Sequence, residues 1–275
     1  MKNIRKMEEG INMNLKKLTL GTLLLSTIVL TGVQTETLAE EVAKRDTDAQ
    51  VKFKPSEGPV KPVDPTDPEK PVDPTDPVDP EKPIDPGTNG PLSLDYASSL
   101  NFGENEISTQ NKVYNASAQL ITGVSEDGKQ EVKHVPLYAQ VTDNRGTLAG
   151  WNLSVKQNGQ LKASSNSSEL QGAEISFKDV WVNSVSQSKE PSNVKKSFTL
   201  NPNGEIQKVT ASSKNEGGGT WVTAFGKEEN IKDEENRTVT ESVQLSVPGK
   251  SEKLSDTYAT TLTWILTDEP GNIQE

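Results

Sequence analysis

Two stretches, far apart in the chain, restrict the possible fold more than any other feature of the sequence. The first is Gly150-Trp-Asn-Leu-Ser-Val155, and the second is Tyr258-Ala-Thr-Thr-Leu-Thr-Trp-Ile-Leu-Thr-Asp-Glu-Pro270. In an extended strand, successive side chains point to opposite faces. The large apolar side chains of each stretch therefore share one face: Trp151, Leu153 and Val155 in the first, and Leu262, Trp264 and Leu266 in the second. We expect the domain to be built between these two strands.

The paired stretches resemble the WxL domain of Gram-positive bacterial surface proteins. The upstream copy resembles the first motif of that family in its wider context, because Val141-Thr-Asp-Asn-Arg-Gly146 leads into it. The downstream copy is similar to the terminal motif, with Tyr258 ahead of the tryptophan and Pro270 closing the stretch. The resemblance covers the chain from about Leu92 to Pro270. It implies attachment to peptidoglycan, together with partner proteins of the same gene cluster, one of them membrane-anchored.

The two Trp-x-Leu pairs, Trp151 with Leu153 and Trp264 with Leu266, are the first candidate binding residues. At the surface, such a pair would form a flat aromatic platform that stacks on sugar rings or fills a pocket of a partner. The alternative is that both pairs lie in the core, as aromatic residues on strands tend to do. Both interpretations hold together if the motifs shape a domain whose neighbouring surface binds.

Asp143 and Arg145 are the second candidate binding residues, because the resemblance places them in the first motif. They are two residues apart and share a face of a regular strand. An exposed ion pair contributes less than about 1 kcal/mol. A solvated turn is therefore the simplest interpretation of this pair. Trp221 follows the glycines 217–219 and is either a mobile contact residue or a strand residue after a flexible loop.

Composition excludes several functions. The chain has 275 residues, no cysteine, one histidine (His134) and a net charge of -11. Without cysteine there are no disulfides, thiolate metal sites or cysteine nucleophiles. The negative charge argues against nucleic acid, whose phosphates select basic surfaces. His134 has no serine or carboxylate motif around it, and no glycine-rich phosphate loop opens a helix. The sequence therefore predicts a protein that is not an enzyme and needs no cofactor.

One acidic loop is an alternative metal site. It contains Glu228, Glu229, Asp233, Glu234 and Glu235. Calcium takes several oxygen ligands, so such a loop is able to bind it. The spacing matches no ordered calcium loop, however, and solvated charge is the simpler interpretation. We expect no metal.

Residues 1–39 are typical of a secretory signal, with a lysine pair ahead of the apolar run 18–33 and small residues before Ala39. Translation from Met13 would give a tidier signal. An uncleaved N-terminal anchor is the alternative, although a membrane span needs about 20 apolar residues. No Leu-Pro-x-Thr-Gly sorting signal follows the downstream motif, so we expect non-covalent attachment.

A proline stands at every third position from Pro59 to Pro86. Polyproline II has three residues per turn and rises about 3.1 Å per residue, so this run would form a rod roughly 85 Å long. Residues 40–91 are therefore predicted to be a disordered, acidic, proline-rich linker or stalk. The alternative is a docking ligand of the Pro-x-x-Pro kind. The folded domain, residues 92–275, would begin at Leu92.

Short alternating stretches rich in Thr, Val, Ser and aromatic residues predict strands throughout the domain. The candidates are 136–143, 149–157, 170–178, 196–201, 205–211, 220–225, 241–247 and 257–267. Asn201-Pro-Asn-Gly204, Asn158-Gly159 and Asp127-Gly128 predict turns, since Asn and Gly tolerate the positive φ that a tight hairpin needs. No stretch predicts a helix of ordinary length. The fold class is therefore all-β, an antiparallel β-sandwich or barrel-like domain.

Together these features predict a secreted protein of the cell surface that attaches non-covalently to peptidoglycan as part of a surface complex. The alternative is an adhesin that projects on its stalk to bind a host matrix protein or glycan.

Overall fold

The computed structural model describes residues 43–125 and 127–270, so the predicted signal segment lies outside the described residues. The chain divides into two units, residues 1–51 and 52–275. The described part of the first, residues 43–51, is exposed and without regular secondary structure. In the second, the regular secondary structure is almost entirely β, and its one described helical element is the short 3-10 helix η1 (Glu228–Asn230). Across the described ranges, we find no helix with the length and apolar character of a membrane span.

Eighteen strands are described, and the prediction of an all-β antiparallel domain is confirmed. In chain order they are β1 (Asp73–Pro74), β2 (Leu92–Ala97), β3 (Lys112–Ser117), β4 (Gln119–Val124), β5 (Gln130–Val135), β6 (Leu137–Asp143), β7 (Trp151–Gln157), β8 (Lys162–Ala163), β9 (Glu174–Phe177), β10 (Val180–Asn183), β11 (Asn193–Val194), β12 (Phe198–Thr199), β13 (Gln207–Ser212), β14 (Gly219–Phe225), β15 (Ile231–Glu234), β16 (Arg237–Val247), β17 (Tyr258–Ala259) and β18 (Leu262–Thr267).

The strands form four larger sheets and one small pair. Their orders are β1-β4-β5, β10-β14-β6-β2, β11-β13-β7-β18 and β12-β9-β16-β15, and β3 also pairs with β16. The remaining sheet is the two-stranded β17-β8. We call β11-β13-β7-β18 the motif sheet, because β7 and β18 carry the two Trp-x-Leu stretches.

Aromatic side chains from three sheets meet in the main core. Phe225 of β14 lies against Phe177 of β9, with ring centroids 4.8 Å apart. Phe225 also lies 5.9 Å from the ring of Trp264 on β18. Fully burying a side chain of this kind stabilises the fold by about 1.5–3 kcal/mol. The motif sheet is therefore joined to its neighbours through apolar packing as well as through the chain.

The predicted turns are found, but one of them does not close a hairpin. Gly128 has φ +79 and connects the paired strands β4 and β5. Gly204 has φ +86 and its N–H donates to the carbonyl of Asn201 at 3.2 Å. The strands that flank this second turn belong to different sheets, since β12 pairs with β9 and β13 pairs with β7. The predicted turn at Asn201 is therefore confirmed, and it carries the chain from one sheet to another.

The proline-rich run is folded onto the domain, and we call residues 59–91 the proline strap. Val63 and Pro71 form an antiparallel bridge, and the N–H of Val72 donates to the carbonyl of Pro62 at 2.9 Å. Further along, β1 pairs with β4. A polyproline rod has no internal hydrogen bonds. The prediction of an extended stalk is therefore wrong for this part of the run, and the folded structure begins before Leu92.

Two valines explain why the strap packs. Val63 and Val72 are 9% and 4% exposed. Val63 joins a cluster with Tyr138 and Val222, while Val72 packs with Ile121. The prolines leave the strap short of N–H donors, but the residues between them retain theirs. The repeat therefore buries Val63 and Val72 against the domain, while Val78 stays exposed.

Side-chain amides of the domain take the place of strand partners for the strap. Gln140 accepts from the N–H of Val63 at 2.8 Å and donates to the carbonyl of Lys61 at 3.0 Å. In the same way, Gln119 and Asn183 donate to strap carbonyls. These contacts satisfy backbone groups that a proline-rich segment cannot pair in a regular ladder.

Candidate functional site

The two motif strands are neighbours in one sheet. β18 pairs with β7 in antiparallel register, with Trp264 opposite Val155 and Leu266 opposite Leu153. The second motif therefore completes the sheet that the first begins, as expected for a domain built between the two stretches.

Trp151 and Leu153 face the interior. Trp151, Leu153 and Val155 are all fully buried. The indole N–H of Trp151 donates to the carbonyl of Gly217 at 2.9 Å. A surface platform formed by this pair is therefore ruled out in the described structure, and the core interpretation holds for the first motif.

Trp264 and Leu266 are partly exposed and lie on the edge strand of the motif sheet. Trp264 packs against both large apolar clusters, the one around Phe177 and the one around Trp151. Leu266 packs against the second of these clusters. The second motif therefore joins two parts of the core while leaving some of its surface open to solvent.

The glycine turn at 217–219 holds two indoles and is not a hinge. Trp221 is 5% exposed, and its indole N–H donates to the carbonyl of Gly218 at 3.0 Å. Gly217 has φ +69, and a Cβ added there would lie 2.7 Å from Nε1 of Trp151. The hypothesis that Trp221 is a mobile contact residue is therefore wrong, because its ring is buried and hydrogen-bonded. Glycine at position 217 allows the close approach of the Trp151 ring.

Asp143 and Arg145 form a largely buried, bidentate pair. Nε and Nη2 of Arg145 lie 2.9 and 2.8 Å from the two carboxylate oxygens of Asp143. Nη2 also donates to the carbonyl of Gly150 at 2.7 Å. The hydrogen bond to Asp143 raises the pKa of the Arg145 guanidinium. With side chains only 16% and 1% exposed, the pair is not a solvated turn, and it fixes the chain that enters β7.

Gly150 lets the ends of the two motifs meet. It has φ +91, and a Cβ there would lie 2.5 Å from the carbonyl oxygen of Ser212 and 3.0 Å from Cα of Pro270. The neighbouring Asn152 donates from Nδ2 to the carbonyl of Glu269 at 2.8 Å. Gly150 of the first motif and Pro270 of the second therefore lie against each other. The sequence alone does not predict this contact.

The motif sheet differs from the other large sheets in charge. Its four strands contain no Asp or Glu, although the chain has 40 such residues. Each of the other three large sheets contains at least two. Lys156 and Lys208 lie on the face opposite Trp151, since Lys208 pairs with Ser154. Sequence reasoning missed this feature, because only the sheet order brings the acid-free strands together.

The other candidates gain no support as sites. The acidic residues at 228–235 are exposed. In the described part of the chain, no group of three or more His, Cys, Asp or Glu side chains is arranged to hold a metal ion. His134 is exposed on β5.

Comparison with known proteins gives one match. The family described as WxL domain surface cell wall-binding matches residues 40–270, which is more than half of the chain and includes both motif strands and the proline strap. No curated protein and no solved structure matches the chain.

Proposed function

We propose that this chain, which belongs to the WxL domain surface cell wall-binding family, attaches non-covalently to the peptidoglycan of the wall. Family membership supports attachment to the cell wall and a location at the cell surface. The observation that carries the proposal is the match across residues 40–270, which spans both motif strands. Secretion, and partners from the same gene cluster, one of them membrane-anchored, belong to the proposal.

The motif residues have an indirect role in this proposal. Trp151 and Leu153 are buried, so they organise the motif sheet without touching a ligand. The Asp143–Arg145 pair likewise acts by holding the entry to β7. We assign attachment to a surface that these residues shape, and we assign the protein no catalytic activity.

The adhesin alternative loses the feature that favoured it. That alternative used the proline-rich run as a projecting stalk. Because Val63 and Val72 of the strap are buried against the domain, the strap does not project as a rod. We therefore keep wall attachment as the single proposed function.

Sedimentation with cell walls tests the proposal. The chain from Glu40 onward would be mixed with washed walls stripped of protein and teichoic acid, and with walls that retain both. We expect the protein to sediment with both preparations. Sedimentation that is lost when wall proteins are removed would contradict the peptidoglycan assignment and identify a protein partner as the ligand. Release of dye from labelled peptidoglycan would contradict the non-catalytic role.

A further inference from the structure

The outer face of the motif sheet is the part of the sheet surface best suited to an anionic wall. The chain carries a net charge of -11 and would be repelled by the carboxylates of peptidoglycan if acidic groups lay at the contact. Charges act over about 8–10 Å at moderate salt, so the charges on the contacting face matter more than the net charge of the chain. The strands of the motif sheet contain no acid, and the two exposed acids that follow β18, Asp268 and Glu269, lie at the end of the sheet away from Lys156.

The residues of this face alternate with the buried motif residues. Lys156 lies opposite Thr263, and Ile265 lies opposite Ser154 on the same face. Lys208 also lies opposite Ser154, on the other side of β7. Lys156 and Lys208 are thus diagonal neighbours, about 7–8 Å apart at the backbone. Lys208 is exposed, and Lys156 is partly exposed.

Hydrogen-bonding groups continue this face toward the ends of the strands. Asn158 donates from Nδ2 to the hydroxyls of Thr261 and Thr263, at 2.9 and 2.8 Å. At the other end of β7, Asn152 is buried, and its Nδ2 donates to the carbonyl of Glu269.

We infer that the outer face of the motif sheet is the surface that binds peptidoglycan, an inference that rests on the proposed function. Lys156 and Lys208 pair with carboxylates of the wall peptides. Thr263 and Asn158 lie beside Lys156 as hydrogen-bonding groups for amide and hydroxyl groups of the peptide and glycan. The pairing of β13 with β7 places the two lysines close together, and the buried Trp151 and Leu153 fix β7 in the core beneath them.

The test is a charge reversal on this face. Lys156→Glu combined with Lys208→Glu would be compared with Lys112→Glu combined with Lys232→Glu, which makes the same change of charge on β3 and β15. Each pair is introduced into the chain from Glu40 onward. We expect the first variant to bind stripped walls about tenfold more weakly than the wild type. The control variant should keep its affinity, and unchanged thermal midpoints would show that both variants fold.

The outcomes separate this inference from the proposed function. If the wild type binds stripped walls and both variants bind equally well, the face is not the binding surface, while wall attachment stands. If the wild type does not bind stripped walls, both proposals fall. If the reversal weakens binding only to walls that retain teichoic acid, the lysines contact phosphate and the peptidoglycan assignment of this face is overturned.

Discussion

Single residues of the motifs act through buried hydrogen bonds as much as through apolar area. The indole N–H of Trp151 and that of Trp221 donate to adjacent carbonyls, those of Gly217 and Gly218. A phenylalanine at either position would keep most of the packing but leave a buried carbonyl unpaired. This explains why tryptophan, rather than any large side chain, occupies these positions.

Trp151→Phe is expected to destabilise the domain by about 1–3 kcal/mol, the cost of an unpaired buried acceptor. Trp151→Ala is expected to cost about 3–5 kcal/mol, because a cavity is added. Denaturant unfolding of the chain from Glu40 onward measures both differences. Equal stability of the wild type and Trp151→Phe would contradict the role of the indole hydrogen bond.

Removing one partner of the Asp143–Arg145 pair should leave a buried charge without its partner. Asp143→Asn is expected to reduce the free energy of unfolding by about 3–5 kcal/mol, the range for a broken buried pair. A double-mutant cycle with Arg145→Gln isolates the coupling between the two side chains. Additive effects of the two substitutions would contradict the bidentate contact.

Glu216, which precedes the glycine turn at 217–219, makes the stability of the fold depend on pH in the acid range. Burial alone would raise its pKa, but hydrogen bonds from Lys189, Ser192 and the backbone outweigh burial and hold the pKa at about 2. Because the folded pKa lies below the ordinary value of 4.5, this group stabilises the fold above that value. The contribution is lost as the pH falls toward about 2.

Protonation of Glu216 is therefore expected to lower the free energy of unfolding by up to about 3 kcal/mol as the pH falls from 5 to 2. Glu216→Gln should flatten that part of the profile, and Glu228→Gln, on an exposed residue, serves as the matched control. The free energy from denaturant unfolding at each pH provides the measurement. A wild-type slope retained in Glu216→Gln would contradict the assignment.

At the scale of elements, the proline strap is part of the folded domain. It contributes Val63 and Val72 to apolar clusters, and Asp64 of the strap pairs with Lys133 at 2.6 Å. Burial of the two valines alone is worth about 1.5–3 kcal/mol each. The domain is therefore expected to depend on residues that precede Leu92.

Removal of the strap tests this dependence. The fragment 92–275 is expected to unfold at a temperature lower than the chain from Glu40 onward by on the order of 10 °C. It should also bind a hydrophobic dye, because Tyr138 and Val222 lose their cover. Removal of residues 40–51 alone serves as the control and should have little effect. An unchanged midpoint for 92–275 would show that the strap is dispensable.

The sequence predicts the elements with strong local patterns and misses those that depend on distant partners. The strands that carry the motifs follow from alternation, and so do β6 and β14. β5 was not predicted, because five of its six residues are at least partly exposed and four are polar or charged. The sequence does not predict that the strap packs on the domain, because its prolines favour an extended rod locally. The side chains that hydrogen-bond to it, Gln119, Gln140 and Asn183, lie far along the chain.

The candidate site, too, is predicted where the sequence pattern is local and is missed where it depends on distant strands. The sequence identifies Trp151 and Trp264 and predicts which side chains share their face. It does not predict that Pro270 closes on Gly150 or that acid-free strands are joined in one sheet, because both depend on sheet order. Charge patterns read along the chain therefore do not reveal a surface assembled from four separate strands.

At the scale of the whole molecule, an acidic protein is attached to an acidic wall. In the proposed attachment the two roles are separate: the motif tryptophans pack the sheet against the core, and its outer face makes the contact. Attachment should then weaken as salt rises, because exposed lysine contacts are screened. Affinity for stripped walls measured at several salt concentrations tests this, and affinity that does not change with salt would contradict lysine-mediated contact.

The most direct test of the account is the binding isotherm of the chain from Glu40 onward on stripped peptidoglycan, for the wild type and for Trp264→Ala. The measurement is made where circular dichroism shows both proteins folded. We predict saturable binding by both, with affinities within about threefold of each other. A wild type that does not bind would contradict attachment to peptidoglycan. A folded Trp264→Ala that does not bind would contradict the structural role of the motif and place its tryptophan in the contact itself.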